Sequence, residues 1–442
     1  MFFREVIHMN LFFSVLQSVN DILWNGPLLF LLIFSHLFFS KQTGFVQRKI
    51  PTALRLSIQT GSGNSRFDSF TSLTTTLAAT LGTGNIIGLS TAVAFGGPGA
   101  VFWCWITGIL GMATSYTECF LSLKFRETRS DGSFAGGPMY LLKNQLNSPM
   151  TARLYGFLLL ASAFCVGCST QSRAVTETLH SVFSLPELPT GLCLALLITV
   201  ILLGGLTGIG SVCNFLVPFM GSFFLLSCVF LLIMHIDYLG DAIHLIISSA
   251  FSFSSVTGGI LGSSFLLSAR FGIARGLFTN EAGLGSASVA AGASKSESKK
   301  QALVLMSATF WDTVVMCGIT GLVIVCSGLA VPGLFDSFAP GDYTLAAFSL
   351  LPFAGEKLLG IAIVLFAVAT LLGWCFFGEK AVEFLFGTKQ ITLYRFFYCI
   401  MVFFGSQMSM TLVWEFSDLF NALMFITNVS SLFLLRKELE QP

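Results

Sequence analysis

Apolar runs of about twenty residues, separated by short polar links, recur along the whole chain and predict membrane-spanning helices. They fall near residues 22–40, 70–95, 98–122, 152–180, 189–207, 211–236, 262–293, 301–328, 355–379, 391–409 and 411–435. The pattern predicts an all-α polytopic membrane protein with about eleven transmembrane helices. The first twenty residues, "MFFREVIHMNLFFSVLQSVN", carry neither a concentrated basic region nor a small-residue cleavage pattern. They read as an amphipathic segment lying against the membrane, with no cleaved signal.

Two of these runs are interrupted. The second contains "LGTGNIIG" at 81–88, and the seventh contains "GLFTNEAGLG" at 276–285. An unwound backbone in hydrocarbon leaves peptide groups unsatisfied at several kcal/mol each unless protein, water, ion or ligand meets them. A glycine run alone also serves close helix packing. Here the two runs are matched, and each carries an Asn in its middle. Spans two to six and seven to eleven have opposite topologies when laid side by side, so the breaks occupy corresponding places in two inverted halves. That is the sequence mark of a midplane site in an inverted-repeat transporter. The organisation expected is an N-terminal part over 1–69, a first repeat over 70–236 and a second over 262–436, within one integral membrane domain. Free carbonyls suit a cation and half-helix N-termini suit a carboxylate, so a small zwitterion and a hard monovalent cation are the natural occupants.

Composition agrees with the pattern: of 442 residues 54% are hydrophobic and only 10% charged, and the net charge of +1 argues against nucleic acid as a partner. Charge position sets the orientation. Lys41, Arg48, Lys49, Arg55 and Arg66 crowd the first loop, and Lys124, Arg126, Arg129, Lys143 and Arg153 the third. Lys295, Lys299 and Lys300, then Lys380, Lys389 and Arg395, then Arg436 and Lys437 follow, whereas the alternate loops have no Lys or Arg. The N-terminus is expected outside and the C-terminus in the cytoplasm. The eleven cysteines lie in or beside apolar segments and read as packing residues; Cys165 and Cys168 have C-x-x-C spacing but no redox-domain context. No phosphate loop G-x-x-x-x-G-K-[ST], no H-E-x-x-H and no G-x-S-x-G occurs, and the five histidines are scattered. An ATP-driven pump and a membrane enzyme are thus disfavoured, as is a channel, for want of a filter-like motif.

The stretch "LGTGNIIGLSTAVAFGGPGAVFWCWITGILGMATSYTECFLSLKFR" resembles the alanine/glycine:cation symporter family of bacterial sodium–amino acid symporters. The resemblance continues through "GGPMYLLKNQL", "GIARGLFTNEAGLGSAS", "FWDTVVMCGIT", "LLGWCFFGEKAVEFLFG" and "VWEFSDLFNALMFITN". It implies a leucine-transporter-type fold of five plus five inverted helices, with one extra helix in front. It also implies a substrate pocket at Thr83, Gly84, Asn85, Ile86, Gly88, Gln171, Phe278, Thr279, Asn280, Met316, Thr370 and Trp374. Amides near Gly84 and Gly88 would hold the substrate carboxylate, and Gln171 with free carbonyls its ammonium. Ile86, Phe278, Met316 and Trp374 would wall a pocket for small side chains. By the same analogy Thr80, Leu81 and Thr370 would offer oxygens to Na⁺, a hard ion.

Glu281, Asp312, Arg275 and Arg173 are charged residues inside spans and therefore functional candidates; Glu281 and Asp312 are expected to organise the seventh span and its neighbour, while Glu118 and Lys124 need no special role. The chain departs from the family pattern at Arg173, where Asn is usual and substrate charge preference is therefore open, and at Thr427, where Pro is usual. The function expected is cation-coupled uptake of a small neutral amino acid, such as alanine or glycine, by alternating access across the bacterial inner membrane. The alternative is an exchanger or sensor using the same pocket without ion coupling. No cofactor is expected beyond the transported Na⁺ or H⁺, between which the sequence does not choose; the partners are the amino acid, the cation and the bilayer.

Overall fold

The computed structural model describes residues 2–58, 65–129, 132–252, 265–294, 298–352 and 354–439. Long helices account for nearly all of them; the one sheet is a two-stranded hairpin pairing Glu127 with Ala135 and Thr128 with Phe134. Among the described residues six helical stretches are long and apolar enough to cross a membrane: Phe13–Gln42, Pro149–Phe183, Gly208–Met234, Lys299–Ala330, Gly355–Phe386 and Met410–Leu434. A seventh is the pair Phe70–Thr80 and Thr83–Gly96, which bends by 57° at the first glycine run. The other four expected spans coincide with helix Gly99–Lys124, the shorter Glu187–Leu203 and Ile391–Ser406, and the broken pair Phe265–Asn280 and Ser286–Ala293.

Three features differ from the sequence reading. The first twenty residues are not a separate segment: helix Phe2–Trp24 leads into Pro27–Gln42, and the apolar stretch starts at Phe13. Pro27 sits in the first turn of the second helix, where its missing N–H costs nothing, so the apolar run is not ended there. The segment 237–262 was expected to be a loop, yet it contains helix Leu239–Ala250, whose Ala242, Ile246 and Ala250 are buried at i, i+4 and i+8. Trp103 Nε1 donates to Ala250 O at 3.1 Å, and a Cβ on Gly99 would lie 2.6 Å from Ala250 N, so this helix rests directly on the start of helix Gly99–Lys124. The second interruption is narrower than its glycine run: residues 276–280 stay helical and the break is confined to 281–285. The expected span start at 262–264 and Lys295 lie outside the described residues.

Helix Gly355–Phe386 forms the spine against which the first break is held. Phe366, Ala367, Leu371, Leu372, Trp374 and Phe377 on it are buried on more than one face, and Phe224 meets Phe366 edge-on at 5.6 Å. Its Gly373 permits a close backbone approach, since a Cβ there would stand 2.6 Å from Ala79 N and 2.7 Å from Ala79 Cα, backbone that does not yield. Ala79 lies directly before the break, so this contact sets the depth of the unwound segment against the spine. Gly373→Ala should therefore overpack the contact, at a cost of about 1–3 kcal/mol, and lower the thermal unfolding midpoint in detergent. An unchanged midpoint would show that the two backbones are not in contact.

Candidate substrate site

The first break is built from the end of one helix, a single tight turn and the start of another. Leu81 N donates to Leu77 O at 2.7 Å and closes the last turn of helix Ser65–Thr80. Gly82 is then extended, Thr83–Asn85 make one 3₁₀ turn, and helix Ile87–Gly96 resumes. The Asn85 side chain splints the turn. Its Oδ1 accepts from Gly82 N at 3.1 Å, while its Nδ2 donates to Asp312 Oδ1 at 2.6 Å and to the Asp312 carbonyl at 3.1 Å. Gln171 Oε1 accepts from both Thr83 N at 3.2 Å and Thr83 Oγ1 at 3.0 Å. Thr370 Oγ1 donates to the Leu81 carbonyl at 3.3 Å. The peptide groups released by unwinding are thus met by side chains from two other stretches and by Asn85 of the turn itself, as burial away from water requires.

The facing wall is the last turn of helix Phe265–Asn280. A Cβ on Gly84 would lie 2.9 Å from Phe278 Cδ1 and 3.0 Å from Thr279 Cγ2, so only glycine lets the two backbones meet this closely. Thr279 Oγ1 donates to Gly276 O at 3.0 Å and lies 3.5 Å from Thr313 Oγ1, which donates to Asp312 Oδ2 at 2.9 Å. Ile86 and Met316 share one apolar cluster, and Phe278 belongs to another with Trp374. Asn85 and Trp374 are fully buried, and Phe278, at 6%, is the most exposed of the non-glycine candidates. The cluster is closed to water in this arrangement.

Thr83, Gly84, Asn85, Gln171, Phe278, Thr279 and Thr370 are therefore brought together. Three candidates sit differently. Asn280 turns to its own break, Oδ1 accepting from Ala282 N at 2.9 Å. Trp374 packs against Gly167 and edge-on to Phe377 at 5.6 Å. Gly88 lies one turn beyond the break, where a Cβ would meet only Trp414 and Arg275, at 3.7 and 3.8 Å. Arg173, which put charge preference in question, faces away: its guanidinium donates to both Glu187 carboxylate oxygens at 2.6 and 3.2 Å.

The second break is satisfied in another manner. Glu281, Gly283 and Gly285 all have positive φ, of 54°, 93° and 93°. Asn428 Nδ2 donates to the Gly283 carbonyl at 2.9 Å and Tyr155 Oη to the Leu284 carbonyl at 2.6 Å. Ser286 Oγ donates to the Glu281 carboxylate, which ties Glu281 to the start of the following half-helix. Asn428 also donates to Glu118 Oε2 at 2.9 Å. Glu118 is fully buried, which corrects the expectation that it needs no special role. Apolar neighbours hid it, and its pairing with Asn428 across 310 positions leaves no local signal. Cys317, 3.3 Å from Asn85 Nδ2, and Thr313 were missed for the same reason.

For the cation, Leu81 O and Thr370 Oγ1 already lie 3.3 Å apart, and the buried Thr80 Oγ1 beside them has no hydrogen-bond partner. These are neutral oxygens of the kind a hard ion takes. Among the described residues no group of three or more His, Cys, Asp or Glu could hold a metal ion.

The model of the sodium:alanine symporter family matches residues 9–441. The sodium/alanine symporter AgcS of Methanococcus maripaludis is 41% identical over 96% of this chain and 95% of its own. The amino-acid carrier protein AlsT of Bacillus subtilis is 31% identical over 96% of this chain and 90% of its own. Among solved structures, a Na⁺-coupled sialic acid symporter in a substrate-bound outward-open state superposes with a TM-score of 0.53 at 10% identity, covering 96% of this chain and 98% of that one. That likeness shows a shared fold and nothing about the ligand. With a family model spanning nearly its entire length, the chain belongs to the sodium:alanine symporter family, whose members are membrane transporters and not enzymes.

Proposed function

We propose that the protein takes up a small neutral amino acid, alanine or glycine in class, together with Na⁺, by alternating access about the first break. The observation that carries this reading is the cluster at that break. The Thr83 N–H and the Leu81 carbonyl are met by side chains from other helices, Gln171 and Thr370, and the Gly82 N–H by the Asn85 side chain, with Phe278 and Thr279 pressed against Gly84. In this reading Thr83, Gly84, Asn85, Gly88 and Gln171 bind the zwitterion, and Ile86, Phe278 and Met316 restrict its side chain. Thr279, Asn280 and Trp374 complete the surround. Thr80, Leu81 and Thr370 bind Na⁺, coupling helix Gly355–Phe386 to the broken span. The arrangement is eleven spans in two inverted repeats of five behind one extra helix, with the N-terminus outside and the C-terminus in the cytoplasm.

Family membership supports the coupling, and AgcS and AlsT, by their names, support an amino acid as cargo. Coupling follows if both ligands favour the same conformations, because a ligand shifts an equilibrium only by its differential affinity. One amino acid bridging Gln171 to the Phe278–Thr279 turn, and one ion bridging Leu81 to Thr370, would each draw the same unwound segment toward its neighbours.

In proteoliposomes, alanine should drive ²²Na⁺ uptake and an inward Na⁺ gradient should drive alanine accumulation. Accumulation indifferent to every imposed ion gradient would leave an exchanger or a sensor. Asn85→Ala and Gln171→Ala should each abolish the alanine-dependent rise in melting temperature, since a ligand stabilises only the form it binds; a rise retained in both would move the pocket elsewhere. Thr370→Val keeps the shape but removes one oxygen. It should weaken the apparent Na⁺ affinity of alanine uptake about tenfold, the effect expected for one lost contact to a charged group, and an unchanged Na⁺ dependence would remove Thr370 from the cation site.

A further inference from the structure

Arg275 has no role in the pocket described above, yet it is only 9% exposed and lies one turn before Phe278 on the same helix. Its guanidinium lies 4.1 Å from the Trp414 ring centroid and 5.8 Å from that of Phe278. Those ring faces stabilise the charge. They do nothing for the N–H groups, which point outward in the guanidinium plane. Nε and Nη1 are buried and have no hydrogen-bond acceptor. The nearest carboxylate oxygen, Asp418 Oδ1, is 3.7 Å from Nη1, close enough for attraction and too far for a hydrogen bond. Buried guanidinium donors without an acceptor are costly, and each of these two, paired with the adjoining Nη2, forms a planar fork that matches a carboxylate.

The surroundings limit what that carboxylate can belong to. Phe278 stands between this group and the first break: its ring meets Gly84 on one side and Trp414 on the other, with ring centroids 4.6 Å apart. Beyond Phe278, the Arg275 and Trp414 side chains face Gly88, where no other atom comes within 4 Å of an added Cβ. The Asp418 side chain is 24% exposed, so this spot is not sealed within the protein. A positive and a negative group thus stand side by side without bonding each other, against an aromatic wall, over the ring that covers the pocket.

We propose that Arg275 and Asp418 form an outer subsite that receives the amino acid zwitterion before Phe278 moves aside. One edge of the Arg275 guanidinium, Nη2 with either Nη1 or Nε, takes the carboxylate, Asp418 takes the ammonium, and Trp414 forms the wall. The inference rests on the reading of this protein as an amino acid transporter and adds to it the residues of first capture. It also explains why the guanidinium is left without an acceptor here: the acceptor is the cargo.

The test is the kinetics of [³H]alanine uptake, driven by an inward Na⁺ gradient, into proteoliposomes holding the full chain. Losing a capture site lowers kcat/KM through KM, whereas a merely structural defect lowers the amount of active protein and leaves KM alone. Arg275→Gln should raise KM at least about tenfold, the size expected for lost charge-assisted hydrogen bonds, with the maximal rate kept. Arg275→Lys, which retains the charge without the fork, should fall between wild type and Gln, and Asp418→Asn should also raise KM. Wild-type KM in Arg275→Gln would overturn the inference. Should Arg275→Gln fail to reconstitute, wild-type KM in both Arg275→Lys and Asp418→Asn would overturn it equally. Absence of saturable alanine uptake by the wild type would instead refute the transport reading, and the subsite with it.

Discussion

Every peptide N–H and C=O withdrawn from water must find a partner, and within a membrane a break in a helix makes that demand acute. Two breaks in this chain answer it in opposite ways. At 281–285 the protein supplies fixed partners: the Asn428 amide and Tyr155 hydroxyl take the carbonyls of Gly283 and Leu284, and Ser286 takes the carboxylate of Glu281. At 81–86 the partners are the ends of Gln171, Thr370 and Asn85, each reaching across from or to another helix. The first arrangement clamps and the second can be exchanged.

The backbone conformations carry the same contrast. Gly283 has φ of 93° and a Cβ there would meet Phe425 Cε2 at 2.6 Å, so both torsion and space confine it to glycine. The second break is a rigid corner. Gly82 at the first break is extended, with negative φ, and needs glycine only because a Cβ would stand 2.7 Å from Thr370 Oγ1. The constraint there is the approach of a partner side chain rather than strain in the chain itself. If Thr370 shifts toward an ion, or Gln171 toward an ammonium, the turn at Thr83–Asn85 loses one bond at a time. That suits a segment whose contacts change during each transport cycle, anchored against one whose contacts do not.

Much of this was written into the sequence because its signals are local. A run of apolar residues marks a helix wherever it is long enough, and "GTGN" inside such a run marks a break regardless of its neighbours. The narrower second break was harder to read: Gly276 is a packing glycine, facing Thr107 at 2.9 Å from an added Cβ, and not part of the unwinding. Glu118, Asn428, Thr313 and Cys317 were invisible as site-forming residues, since each meets a partner across a distance in sequence that no spacing rule records. Arg173 misled for the converse reason: two positions from Gln171 along a helix is nearly the opposite face, and its charge goes to Glu187 instead. Helix Leu239–Ala250 escaped notice because it is too short to span and too apolar to look like a surface helix.

The central claim is that the unwound peptide groups at 81–86, and not those at 281–285, receive the cargo. An experimental structure determined with alanine and Na⁺ tests it most directly. The account predicts density for the amino acid between Thr83–Gly88 and the Phe278–Thr279 turn, with Gln171 drawn from Thr83 toward the ligand and an ion between Leu81 O and Thr370 Oγ1. Continuous α-helix through 81–86, or ligand density lodged at Gly283 and Leu284 with Asn428 and Tyr155 displaced, would contradict it.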